Sequence, residues 1–174
     1  MARSIALAGA LALVLLPSAL GTPFSPSADA RVEGTWKVSL VFTVADGLAN
    51  RKVGDRVAER WRFRPRCAAG ACAVELHRGG RTLLLRRTAS AYVGTRAFEG
   101  AFFCADTTYP RGTRYVESWR VQVARSKRGA RGRTATRIVG VGATVGRSKS
   151  GLPCAQVTSR ERVEFRGVPT PSSG

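Results

Sequence analysis

Glu59-Arg60-Trp61-Arg62-Phe63-Arg64-Pro65-Arg66-Cys67-Ala68-Ala69-Gly70-Ala71-Cys72-Ala73-Val74-Glu75-Leu76 reads as a strand, a tight cysteine-flanked turn and a second strand. Glu59, Trp61 and Phe63 share one parity, and Arg60, Arg62 and Arg64 share the other. A period of two over this length is the signature of a half-buried strand, with the aromatic face toward a core.

The same alternation recurs along the chain. A first strand is expected over 33–45, where Trp36, Val38, Leu40, Phe42 and Val44 share a face. The second spans 56–65 and the third 72–78. Gly79-Gly80 then forms a primed hairpin turn into a fourth strand over 81–88. Leu83-Leu84-Leu85 leaves the inward parity of that strand open. Two short strands are expected at 91–95 and 97–104, followed by a polar loop from 106 to 113 that contains Pro110 and Gly112. Strand seven covers 114–124, strand eight 134–145 and strand nine 156–167. Gly140 and Gly142 point to a bend or close approach within a curved sheet. No stretch carries an apolar period of 3.6. Short strands joined by sequential turns predict an all-β domain, a single antiparallel up-and-down barrel of 8–9 strands, with a β-sandwich as the alternative. The expected core includes Trp36, Trp61, Phe63, Tyr115, Trp119, Val163 and Phe165.

Residues 1–30 read as a secretory signal peptide. Arg3 supplies a small charged region, Ile5 to Leu16 an apolar run, and Ala28-Asp29-Ala30 a cleavage site, with Ala19-Leu20-Gly21 as a weaker one. The apolar run is shorter than the roughly 20 residues a spanning helix needs. The expected organisation is a leader over 1–30, a barrel domain over 31–167 and a frayed tail over 168–174. Export places the protein outside the cell or at its envelope.

Four cysteines in an exported chain read as two disulfides. Cys67–Cys72 and Cys104–Cys154 are the expected pairs, since the first flanks a turn and the second ties the middle of the chain to its last strand. Half of a zinc site is the rival reading of Cys-x4-Cys, but export favours disulfides. No metal and no cofactor are expected.

The formal net charge is +18, and 25 of the 29 basic residues are arginine. Removing residues 1–30 takes away Arg3 and Asp29, so the charge is unchanged. A field of this sign favours polyanionic partners. The densest basic run is 125–137, where Arg125, Lys127, Arg128, Arg131, Arg133 and Arg137 meet no acid. It is expected as a solvated, mobile hairpin tip, opposite in the barrel to Arg147 and Lys149. No aromatic residue interleaves it, so base stacking and sequence-specific nucleic-acid binding are not expected.

Glu59-x-Trp61-Arg62-Phe63 is echoed by Glu117-x-Trp119-Arg120-Val121 and, more loosely, by Glu161-x-Val163-x-Phe165. One reading has these glutamates at strand ends, paired at the rim. The other puts them inside the barrel mouth as a polar cluster. In a nine-strand meander Glu117 and Glu161 share an end and Glu59 lies at the other.

Gly34-Thr35-Trp36 resembles the Gly-x-Trp opening of lipocalin-type barrels, but the family's other short motifs are not evident, so ligand transport is not carried over. A hollow interior would instead offer a small apolar ligand a site among Trp36, Trp61, Trp119 and Glu117. Trp61-x-Phe63-x-Pro65-x-Cys67-x-x-Gly70-x-Cys72, with Tyr92-x-Gly94 and Cys104, resembles small exported β-domains of actinobacteria over most of 32–166. That resemblance implies location and architecture and no activity.

Catalytic signatures are missing. His77 is the only histidine and has outward parity beside Glu75. Gly-x-Ser-x-Gly, His-Glu-x-x-His, P-loop and dinucleotide fingerprints do not occur. Glu117 and Glu161 are the one carboxylate pair that glycoside hydrolysis would use. No catalytic residue is therefore expected. The expected function is a basic, exported, non-enzymatic binding module for an anionic polymer or membrane surface. A small-ligand barrel is the alternative and a hydrolase the third.

Overall fold

The computed structural model describes residues 29–47, 50–104, 106–152 and 158–171. The leader up to residue 28, Cys154 and the last three residues of the tail fall outside this set. Eight strands occur in chain order: β1 Gly34–Asp46, β2 Arg56–Pro65, β3 Val74–Arg78, β4 Arg81–Arg87, β5 Tyr92–Cys104, β6 Thr107–Gly129, β7 Gly132–Ser148 and β8 Thr158–Pro169. They form a closed barrel in which each strand pairs with the next in sequence, and β8 closes it by pairing antiparallel with β1. Among the described residues there is no helix. The fold is the up-and-down barrel that the alternation predicts, not a sandwich.

Three expectations need correction. The two short strands at 91–95 and 97–104 are one strand, β5, because its ladder with β6 continues unbroken from Tyr92↔Val121 to Gly100↔Thr113. The loop expected over 106–113 is the start of β6. A shift in register between Gly100 and Phe102 absorbs the irregularity that Pro110 and Gly112 announce, and pairing resumes at Phe102↔Tyr109. Val168 and Pro169 extend β8 opposite Lys37 and Trp36, and Thr170 N–H donates to the Thr35 carbonyl at 2.7 Å, so the tail does not fray at 168.

The strand count decides which strand ends meet. In an eight-strand meander β2, β4, β6 and β8 all run the same way. Their C-terminal ends lie at what is here called the lower end, with the segment that precedes β1. Their N-terminal ends lie at the upper end.

Inward residues form one continuous core. Trp36, Trp61, Phe63, Leu76, Leu85, Val121, Ile138 and Val163 are almost fully buried. Trp61 stands edge-on to Trp119, with ring centroids 5.1 Å apart, and 4.8 Å from Phe165. Such pairs add to what burial of their area alone contributes. Gly142 makes room for this cluster, since a Cβ there would lie 2.3 Å from the Trp119 ring. Leu83 and Leu85 point inward and Leu84 outward, which resolves the parity of β4. Tyr115, expected in the core, is only half-buried and stacks on Phe98 at 5.1 Å.

At the lower end a strap closes the barrel. Ala30 and Val32 are buried to 0% and 1% exposure. Arg31 bridges β7 beside Thr134, with its N–H on the Arg133 carbonyl and its carbonyl taking the Ala135 N–H. The Tyr92 hydroxyl donates to the Ala30 carbonyl at 2.9 Å. Exposed charges such as Lys37, Arg60, Arg86, Arg120, Arg147 and Arg166 stand on the outer face. Apolar inside and charged outside is the reverse of a membrane-spanning barrel's pattern.

Candidate functional site

Two clusters of charged residues stand out, one inside the barrel and one beyond it. The inner cluster starts from the Glu-x-Trp repeat. Residues two apart in a strand share a face, so each glutamate points inward next to its tryptophan. A buried indole N–H needs an acceptor. Trp61 Nε1–H donates to Glu59 Oε2 at 2.6 Å, and Trp119 Nε1–H donates to Glu117 Oε1 at 2.7 Å.

The carboxylates in turn need cations, because an unpaired buried charge is costly. Arg78, the last residue of β3, holds Glu59 with Nε and Nη2 at 3.1 and 3.0 Å and reaches Glu117 with Nη1 at 2.8 Å. Its guanidinium carbon lies 4.4 Å from the Trp119 ring centroid. Arg96 of β5 donates from Nε to Glu117 Oε2 at 3.0 Å and from Nη1 to the Thr82 carbonyl at 3.2 Å. That last bond matters because β4 and β5 pair only at Arg86↔Val93 and Arg87↔Tyr92. The Arg96 side chain thus bridges the wall where the ladder lapses.

Burial pushes the Glu117 carboxyl up, but the Trp119 N–H, Arg78 and Arg96 outweigh it and hold the carboxyl below its usual range. Glu161 on β8 behaves oppositely. Burial raises its carboxyl most; Arg78 pulls it down, Glu117 and Glu59 push it up, Arg51 pulls it down, and the net direction is up. Glu59 thus shares the upper end with Glu117 and Glu161, contrary to the nine-strand expectation. The reason is the single strand β5, which reverses the direction of every later strand relative to β2. Arg78 and Arg96, which complete the cluster, carry no motif of their own. The inward parity of each, opposite a Glu-x-Trp, is the signal that could have found them.

Both Glu117 oxygens are engaged. Trp36, Trp61 and Trp119, the expected walls of a ligand chamber, are buried, and Trp61 and Trp119 pack against each other. His77 faces outward as expected, with Nδ1 2.9 Å from Thr82 Oγ1 and Nε2 3.5 Å from Glu75.

The second cluster is the basic run. The expected hairpin tip is a ribbon paired almost to its end. The β6–β7 ladder continues through Arg125↔Arg137, Lys127↔Thr134 and Arg128↔Arg133 to Gly129↔Gly132, leaving only Ala130 and Arg131 in the turn. Gly132 sits at φ 98°, where glycine avoids the penalty other residues meet. Irregular register on either side of Arg125 bends the ribbon. The strap pairs along it, and the Arg131 carbonyl lies 3.5 Å from Gly70 N in the β2–β3 turn. That turn is closed by the expected Cys67–Cys72 disulfide. Cys104 is also disulfide-bonded; its expected partner, Cys154, lies outside the described residues. Arg125, Lys127, Arg128, Arg131, Arg133 and Arg137 are all exposed. None forms an ion pair among the described residues. Arg147 and Lys149 lie at the upper end, where Lys149 pairs with Glu99 at 2.6 Å.

The molecule is thus a closed eight-stranded barrel with an aromatic interior, a charged inner cluster at its upper end and a cationic ribbon at its lower end. No family model matches this chain, and no curated protein matches it either.

Proposed function

We propose that the protein is an exported, non-enzymatic adhesion module that holds anionic polymer at the cell envelope through the β6–β7 ribbon. The observation that carries this reading is the exposure of six basic side chains on a paired ribbon, with no acid in an ion pair with them among the described residues. The inner cluster adds to it. Glu59, Glu117 and Glu161 with Arg78 and Arg96 sum to −1, so the remainder of the +18 chain carries +19. The engagement of both Glu117 oxygens supports the non-catalytic part, because a general acid or base needs a free position to exchange a proton. The ring contact between Trp61 and Trp119 weighs against a small ligand in the interior. The leader-like apolar run from Ile5 to Leu16 and the resemblance of the Trp61-to-Cys72 motif to small exported β-domains support the location. Cleavage at Ala19-Leu20-Gly21 would keep the buried Ala30 and its bond to Tyr92 in the exported chain, whereas cleavage after Ala30 would remove them.

Retention on a heparin column over a salt series tests the reading. Wild type is expected to be held at low salt and released steeply as salt rises, as counterion release requires. R128S/R131S/R133S is expected to elute at clearly lower salt. Equal elution would remove the ribbon from the binding surface, and no retention of wild type at low salt would end the polyanion reading.

A further inference from the structure

The outer face of the barrel carries a second cationic feature, across the neighbouring strands β7, β8, β1 and β2. Lys37 lies opposite Arg60 on β2 and Val168 on β8, and Arg166 lies opposite Ser39 and Val139. With Arg137 these residues enclose a recess of about 730 Å3. Lys37, Arg60, Arg137 and Arg166 are exposed and stand in no ion pair among the described residues. Glu59 borders the recess, but its carboxylate is turned to Trp61 and Arg78. Glu164, two residues along β8, is the outward acid nearest in register.

The recess also has an apolar floor of Ala58, Val139 and Val168, the last 45% exposed. A free phosphate or a hydrophilic polyanion matches the cations but has no use for that floor. A phospholipid matches both: its phosphodiester suits guanidinium forks, and its glycerol and first acyl carbons suit valine. We propose that this recess docks the headgroup of an anionic phospholipid, so that the barrel lies side-on against a membrane surface. Arg137 belongs to both the recess and the base of the ribbon, so the two features adjoin. The inference rests on the adhesion reading for the sign of its partner, and not on the tip of the ribbon.

Co-sedimentation with phosphatidylglycerol–phosphatidylcholine vesicles tests it, with heparin retention measured in parallel. At about 1 kcal/mol per basic residue near an anionic surface, R60S/R166S is expected to lose about 30-fold in vesicle affinity. R114S/R147S removes the same charge from the β6–β7 face near the upper end and is expected to lose less than about threefold. Val168→Ser is expected to weaken vesicle binding several-fold and leave heparin elution unchanged. Equal losses in the two double variants would mean diffuse charge and overturn the site. So would an unaffected Val168→Ser, or full competition by soluble glycerol phosphate. Heparin retention without vesicle binding would leave adhesion standing and sink lipid docking; loss of both would sink adhesion itself. If the double variant melts at lower temperature than wild type, R166S alone decides the matter by the same criteria.

Discussion

At the lower end of the barrel Ala30, Val32 and Tyr92 make an apolar floor, held by backbone bonds between the strap and β7. At the upper end the same aromatic interior finishes in Glu59, Arg78, Arg96 and Glu117, bound side chain to side chain. The difference lies in which groups the interior presents at each end. The segment before β1 and the end of β8 both lie at the lower end, so backbone is available to cover it. The β3–β4 turn beside this cluster is only Gly79-Gly80. Side chains fill that end of the interior, and the indole N–H groups of Trp61 and Trp119 call for acceptors there. Once carboxylates are chosen, arginines must follow. Closure by backbone tolerates loss of one contact; closure by a charge network does not, because each missing partner strands a buried ion.

The largest expected effect is therefore at the upper end. Glu117→Gln removes the charge that Arg78 and Arg96 share and should lower unfolding free energy by about 3 kcal/mol at neutral pH, read from urea denaturation. A change below about 1 kcal/mol would show that the network contributes little to stability. At the lower end, replacing Cys67 and Cys72 by serine opens a short loop and should cost about 2 kcal/mol on the chain-entropy account. A larger loss than that of Glu117→Gln would reverse the ranking of the two ends.

The smallest effect concerns Glu161. Its carboxyl is raised above the unfolded value of about 4.3, so its contribution to stability is full below that value and is lost as pH rises through the raised folded one. Glu117 is lowered, so its contribution is present above about pH 4.3 and lost as pH falls through the lowered value. Glu161→Gln should thus flatten the decline in stability above about pH 4.3 and stabilise the protein by less than about 1 kcal/mol at neutral pH. A steeper decline in the variant would contradict the assignment.

The inward parity of Trp36, Trp61, Trp119 and Phe165 was legible in the chain because alternation is a local property of a strand. The Cys67–Cys72 turn and the acid-free run over 125–137 were legible for the same reason. Less was legible about the ribbon, since Gly129 and Gly132 read equally as a loose tip or as the last pair of a ladder, and only pairing across the two strands separates these. Tertiary structure alone decided that Tyr92–Cys104 is one strand. That continuity depends on a partner, β6, whose pairing residues are up to 29 positions away. One strand rather than two fixed the direction of everything after it, and so brought Glu59 to the same end as Glu117 and Glu161. The alternation of a strand is written in neighbouring residues; its direction in a barrel depends on how many strands came before.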